Sequence, residues 1–133
     1  MPNIHYETKR RISAAQLADT FKRSGITRPV EDLQRMARML EHANILVTAW
    51  DGELLVGVAR AWSDFSFCCY LSDLAVDAGY QKSGIGKELI RQVHTISGDA
   101  AMLLLLAAPT AMPYYPKLGF EAVANGWIIK RKA

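Results

Sequence analysis

The most constraining stretch of this 133-residue chain is Leu74-Ala75-Val76-Asp77-Ala78-Gly79-Tyr80-Gln81-Lys82-Ser83-Gly84-Ile85-Gly86-Lys87. A β-rich run ends, a short loop follows, and a helix opens on a glycine pair. Gly84 and Gly86 let the backbone approach a ligand closely. The amides of a helix's first turn have no internal partners. With the helix dipole they form an anion site suited to phosphate. Lys82 and Lys87 add positive charge at its mouth, and Gln81 can donate from its side-chain amide. Two nucleotide signatures fail here. A P-loop needs Ser or Thr after Gly86-Lys87, and Glu88 follows. A dinucleotide fingerprint needs a third glycine where Leu89 stands. The glycines alone fit an anion site and a plain tight turn equally well.

The rest of the chain reads as one α/β unit, a single domain over 1–133. Asn3–Thr8 reads as a first strand. Ser13-Ala14-Ala15-Gln16 is a capping box that opens a helix ending at Gly25. Pro29 suits the first turn of a second helix, in which Leu33, Met36, Ala37 and Leu40 form a stripe. Asn44–Trp50 and Leu54–Trp62 are strands around an Asp51-Gly52 turn, and Phe67–Val76 is the next. A helix from Gly84 to Ser97 turns Ile85, Leu89, Ile90, Val93 and Ile96 inward. Ala101–Leu106 reads as a strand buried on both faces. Thr110–Leu118 reads as a short helix. Phe120–Val123 and Trp127–Lys130 read as strands around Asn125-Gly126. Alternation of this kind predicts mixed α/β architecture around one central sheet.

Composition removes several classes. Sixteen Lys and Arg against thirteen Asp and Glu give a net charge of +3. That excess is weak for a nucleic-acid binder and argues against such a partner. The longest apolar run, Ala100–Ala108, falls short of the roughly 20 residues of a membrane helix, so no membrane partner is expected. No signal-peptide pattern opens the chain. Cys68 and Cys69 are adjacent, cannot easily bridge, and fit a reducing, cytoplasmic setting as small buried hydrophobes. His5, His42 and His94 lack metal spacing, so no metal is expected. Trp50, Trp62, Phe65, Phe67 and Tyr70 read mostly as core, with some available to an acceptor pocket.

Gln81-Lys82-Ser83-Gly84-Ile85-Gly86 resembles the Arg/Gln-x-x-Gly-x-Gly/Ala motif of the GCN5-related N-acetyltransferases, the GNAT family. A second segment, Ala111-Met112-Pro113-Tyr114-Tyr115-Pro116-Lys117-Leu118-Gly119-Phe120, resembles that family's aromatic-Tyr-x-x-Leu-Gly-Phe run. The resemblance implies a sheet splayed after the fourth strand, helices on both faces, and acetyl transfer from acetyl-CoA to a small-molecule or protein amine. It implies cofactor contacts from the backbone of Leu74, Ala75 and Val76, and a diphosphate on Gln81, Lys82, Ser83, Gly84, Ile85, Gly86 and Lys87. It also makes a homodimer possible, through an edge strand of the C-terminal hairpin.

Three physical jobs follow from that reaction: an amine must lose a proton, an oxyanion needs a donor, and a thiolate needs an acid. The resemblance gives Tyr115 the acid's place and Val76 the oxyanion amide. Pro113 and Pro116 depart from the family pattern around it. Asp73 is the base candidate, against a purely structural strand aspartate. The resemblance places acceptor selection in 13–44 and the final strands, where Arg23, Arg28, Glu31 and Asp32 are either selectors or surface charge. The alternative function is a CoA-binding module of the same fold that catalyses nothing.

Overall fold

The computed structural model describes residues 3–133. Five strands form one sheet in the order β1-β2-β3-β4-β5: β1 Ile4–Glu7, β2 Ile45–Asp51, β3 Leu54–Ser63, β4 Cys68–Val76 and β5 Met102–Leu105. The first four pair antiparallel, and β5 runs parallel to β4. Three helices complete it: α1 Ala14–Ser24, α2 Leu33–His42 and α3 Ile85–Ser97.

The helix ends follow the local chemistry. Ser13 accepts from the Gln16 amide while the Gln16 side chain takes the Ser13 amide. Gly25 stops α1 in the left-handed region, φ 83°. Asp32, rather than the Pro29 turn, caps α2 by accepting from Arg35 N. A carboxylate at that position satisfies a first-turn amide that proline could not reach.

The two faces of the sheet carry separate cores. Leu17, Ala18, Phe21 and Met36 of α1 and α2 pack on Val58 and Ala75. Ile85, Leu89, Ile90 and Val93 of α3 pack on Val47, Ala49, Val56 and Leu71. Alternation puts Leu74 and Val76 on the α3 side and Ala75 on the other. Gly57 makes α3's seat possible: a Cβ there would stand 3.1 Å from Ile85 Cγ2 and 3.2 Å from Leu89 Cδ1.

Several expectations need correction. β5 is not buried on both faces: Met102 is 59% exposed and Leu103–Leu105 are half-buried. It is the last strand in the order, so no strand among the described residues pairs with its outer edge. The segment after it forms two 3-10 turns, Pro109–Ala111 and Tyr115–Leu118, instead of a helix. Pro113 and Pro116 withhold the amides a longer helix would need. Residues 121–133 form no strands, and Trp127 and Ile129 are exposed. The middle aromatics also split. Trp50 is buried, with its indole N–H on Thr48 Oγ1. Phe65, Phe67 and Tyr70 face solvent, as does Ile96 of α3. Cys69 is buried but Cys68 is exposed, the two side chains lying on opposite faces of the strand.

Candidate active site

β4 is paired through to its C-terminal end on one side and only in part on the other. β3 pairs with it from Cys69 to Val76. β5 pairs with Cys68, Cys69, Tyr70 and Leu71 and then leaves. From Ser72 to Val76 the β5 side of the strand is without a neighbouring strand, so backbone polar groups there stand open to a ligand. The parting coincides with a bulge. Arg60 faces Asp73 and Ala61 faces Leu71, which leaves Ser72 as the extra residue. A bulge re-aims a strand, and its place here is where two strands diverge.

The open edge runs into the glycine loop. Asp77 follows β4 and accepts from Gly79 N through Oδ1 and from Arg23 Nε at 2.8 Å through Oδ2. Arg23 also donates to Leu55 O, so α1's last turn is bound to this corner. Gln81 does not point its amide outward as a free donor. It donates to Val76 O at 3.0 Å and fastens the loop to the strand end. Lys82 has φ 70° and Gly84 has φ 85°, so left-handed residues flank Ser83. A non-glycine residue held there is a sign of local strain, and such curled backbone turns amides toward one point. Gly84 is the N-cap of α3 and offers no side chain to it. The first internal bond of α3 is Glu88 N to Gly84 O, so the Ile85, Gly86 and Lys87 amides precede the helix ladder. Lys82 and Lys87 are exposed beside them. The loop residues that the sequence singled out therefore meet at one corner with the end of β4.

Tyr114 roofs that corner. A Cβ on Gly86 would lie 3.1 Å from the Tyr114 hydroxyl and 3.8 Å from Val76 Cγ2. Tyr114, the end of β4 and the first turn of α3 therefore converge on one small space that only glycine leaves open. Tyr115 lies edge-on between Tyr114 and Phe120, with ring centroids 5.3 and 5.5 Å away, and packs against the α3 core. Burial pushes both phenols above the ordinary value of 10, and Tyr114 adds a further push on Tyr115. Both hold their protons at neutral pH. Sequence reasoning singled out Tyr115 and passed over Tyr114; the signal available was only that two phenols stand side by side in the motif.

Asp73 is placed otherwise than a base requires. Its side chain is fully buried. Oδ1 accepts from Arg28 Nε at 2.6 Å, and Oδ2 accepts from Arg60 Nε. Both carboxylate oxygens are thus engaged by guanidiniums inside the protein, and neither is turned toward the open edge as a free acceptor for an amine. Its evident work is to tie the α1–α2 loop and β3 to the bulge. The structural reading of Asp73 is the one the geometry favours.

A groove of about 390 Å³ opens farther along β4. Trp62, Tyr70, Met102 and Leu104 are among its walls. Arg60's guanidinium lies 4.6 Å over the Trp62 ring, so the groove adjoins the charge cluster. Among the described residues, no group of three or more His, Cys, Asp and Glu could hold a metal, and no helix is long and apolar enough to cross a membrane.

Comparison with known proteins agrees with this geometry. The acetyltransferase (GNAT) domain model matches residues 9–128. The histone acetyltransferase TAP1 of Glycine max is 39% identical over 74 residues, 54% of this chain and 32% of the relative. The glucosamine 6-phosphate N-acetyltransferase of Trypanosoma brucei brucei is 28% identical over 115 residues, 84% of this chain and 70% of the relative. The chain thus spans about a third of the length of TAP1. A GNAT family acetyltransferase structure from Streptococcus pneumoniae superposes with a TM-score of 0.81 at 21% identity, covering 98% of this chain and all of that one. It shares the fold. With a family model covering nearly the whole chain and both motifs at one corner of the sheet, this protein belongs to the GNAT acetyltransferase family.

Proposed function

We propose that the chain transfers the acetyl group of acetyl-CoA to a primary amine, by direct attack within a ternary complex. The observation that carries this reading is the meeting of β4's open edge with the uncapped first turn of α3 beneath a protonated phenol. Acetyl-CoA supplies the activated acyl group. Its amide-rich arm suits the backbone of Leu74, Ala75 and Val76, because only an unpaired strand edge can exchange hydrogen bonds with such a chain. Its diphosphate suits the amides of the Ser83–Lys87 turn with Lys82 and Lys87 alongside.

Each remaining job falls to a group at this corner of the sheet. The neutral amine forms a bond to the thioester carbon as the C–S bond breaks. The Val76 amide stabilises the negative oxygen. A phenol then gives its proton to the departing thiolate. Tyr115 holds the motif's acid position, and Tyr114 is the phenol whose hydroxyl overlies the turn. Comparing the two phenylalanine variants assigns the role. The amine's own proton leaves to water, since Asp73 is occupied. The relatives act on different acceptors by name, a histone and an amino-sugar phosphate, so they support acetyl transfer without choosing the amine.

The test is free-thiol release from acetyl-CoA with a mixed amine panel, run beside calorimetric binding of acetyl-CoA. Amine-dependent release is expected. Binding with no release for any amine would replace this reading with that of a CoA-holding module.

A further inference from the structure

The charge cluster at the β4 bulge does not cancel. Two guanidiniums, Arg28 and Arg60, face the single carboxylate of Asp73. One positive charge is left over at the point where β4's edge opens. The two arginines differ in what they have to spare. Arg60 is 5% exposed and is consumed by its surroundings. Its Nη1 donates to Met39 O and its Nη2 to Ser72 Oγ. Arg28 is 28% exposed. Its Nη1 donates to Thr27 O at 2.6 Å and its Nη2 to Ser72 O at 2.9 Å. Each of these nitrogens carries a second hydrogen, and none of the described residues accepts it.

Ser72 places that guanidinium. It is the bulged residue and the first on β4 beyond the last pair with β5. Leu74, Ala75 and Val76, the edge given to the acyl arm, follow within two to four residues. Arg28 is therefore a fixed, partly exposed cation beside the reacting end of the site. It is held still by Asp73, Thr27 and Ser72, so little freedom remains to be lost on binding. A residual positive charge repels an ammonium group and attracts an anion. Guanidinium N–H groups match the oxygens of carboxylate and phosphate.

We propose that the acceptor carries an anionic group, carboxylate or phosphate, beside its amine, and that Arg28 binds this group. The proposal rests on the acetyl-transfer reading above. It deepens that reading by naming the class of amine.

The test uses matched amines at saturating acetyl-CoA, with thiol release as readout. One pair is phenylalanine and phenethylamine, differing in a carboxylate. The other is glucosamine 6-phosphate and glucosamine, differing in a phosphate. The expected result is a kcat/KM at least about tenfold higher for the anionic member of one pair, the scale of one charge-assisted hydrogen bond. The pair that discriminates says which anion is meant. In Arg28→Gln the preference collapses, mainly through a raised KM for the anionic member. Discrimination by the unaltered protein stands even if that variant folds poorly. Equal or better use of the neutral member in both pairs overturns the proposal. Binding of acetyl-CoA with no thiol release for any amine of the mixed panel overturns the acetyl-transfer reading and the proposal with it.

Discussion

The two long edges of β4 make the sharpest contrast in the molecule. On one, β3 pairs through to Val76 and carries the buried core of both faces. On the other, β5 stops at Leu71 and leaves five residues without a strand partner. The first edge carries the packing of the sheet, and the second is the one assigned above to the acetyl-CoA arm. The same contrast recurs between two glycines. At Gly57 the missing Cβ makes room for Ile85 and Leu89, which are core. At Gly86 it makes room beneath the Tyr114 hydroxyl, at the open corner. Absence of a side chain thus means packing in one place and access in the other.

Substitutions should separate these two kinds of place. The largest effect is expected at the joint between them. Asp73→Ala leaves Arg60 buried against no carboxylate, and about 3–5 kcal/mol of stability should be lost, measured by urea unfolding. A loss below about 1 kcal/mol would mean that the cluster does not hold the bulge. Gly57→Ala comes next. Its Cβ would crowd two α3 side chains and Ala49, so about 1–3 kcal/mol should be lost by overpacking.

The phenols should act on rate rather than stability. Whichever of Tyr114→Phe and Tyr115→Phe removes the acid should lower kcat about tenfold or more, in the range of proton-transfer catalysis. Acetyl-CoA affinity should move less. If both variants turn over like the parent, a phenol is not the acid. Because burial raises both groups from 10, a phenol acid predicts that any fall of kcat with rising pH has its midpoint above 10. A midpoint near neutral pH would point to another group. Gly86→Ala is the mildest. Alanine favours a helix over glycine by about 1 kcal/mol, so stability should hold while the displaced Tyr114 costs acetyl-CoA affinity.

Much of this was legible in the sequence, and the unread parts have physical causes. The caps of α1, the Asp51-Gly52 turn and the α3 stripe are set by neighbours within four residues, so the sequence displays them directly. The loop from Gln81 to Lys87 was also readable, because glycine spacing and helix-end chemistry are local. The role of Asp73 was not. It depends on Arg28 and Arg60, which are 45 and 13 residues away, and no local pattern brings those cations to one carboxylate. The exposure of β5 was hidden for a related reason. Four consecutive leucines look buried, but whether a strand has an outer neighbour is decided by the rest of the chain. Asn125-Gly126 shows the limit from the other side. A good turn pair makes no hairpin where flanking strands find nothing to pack on.

The central claim is that the half-open edge of β4 and the first turn of α3 form one acetyl-CoA site. Amide hydrogen exchange with and without acetyl-CoA tests it most directly. Added protection is expected at Leu74–Val76 and at Ser83–Lys87 together, with Cys69–Leu71 little changed because β5 already covers it. Binding that protects neither segment, or only one of them, would contradict it.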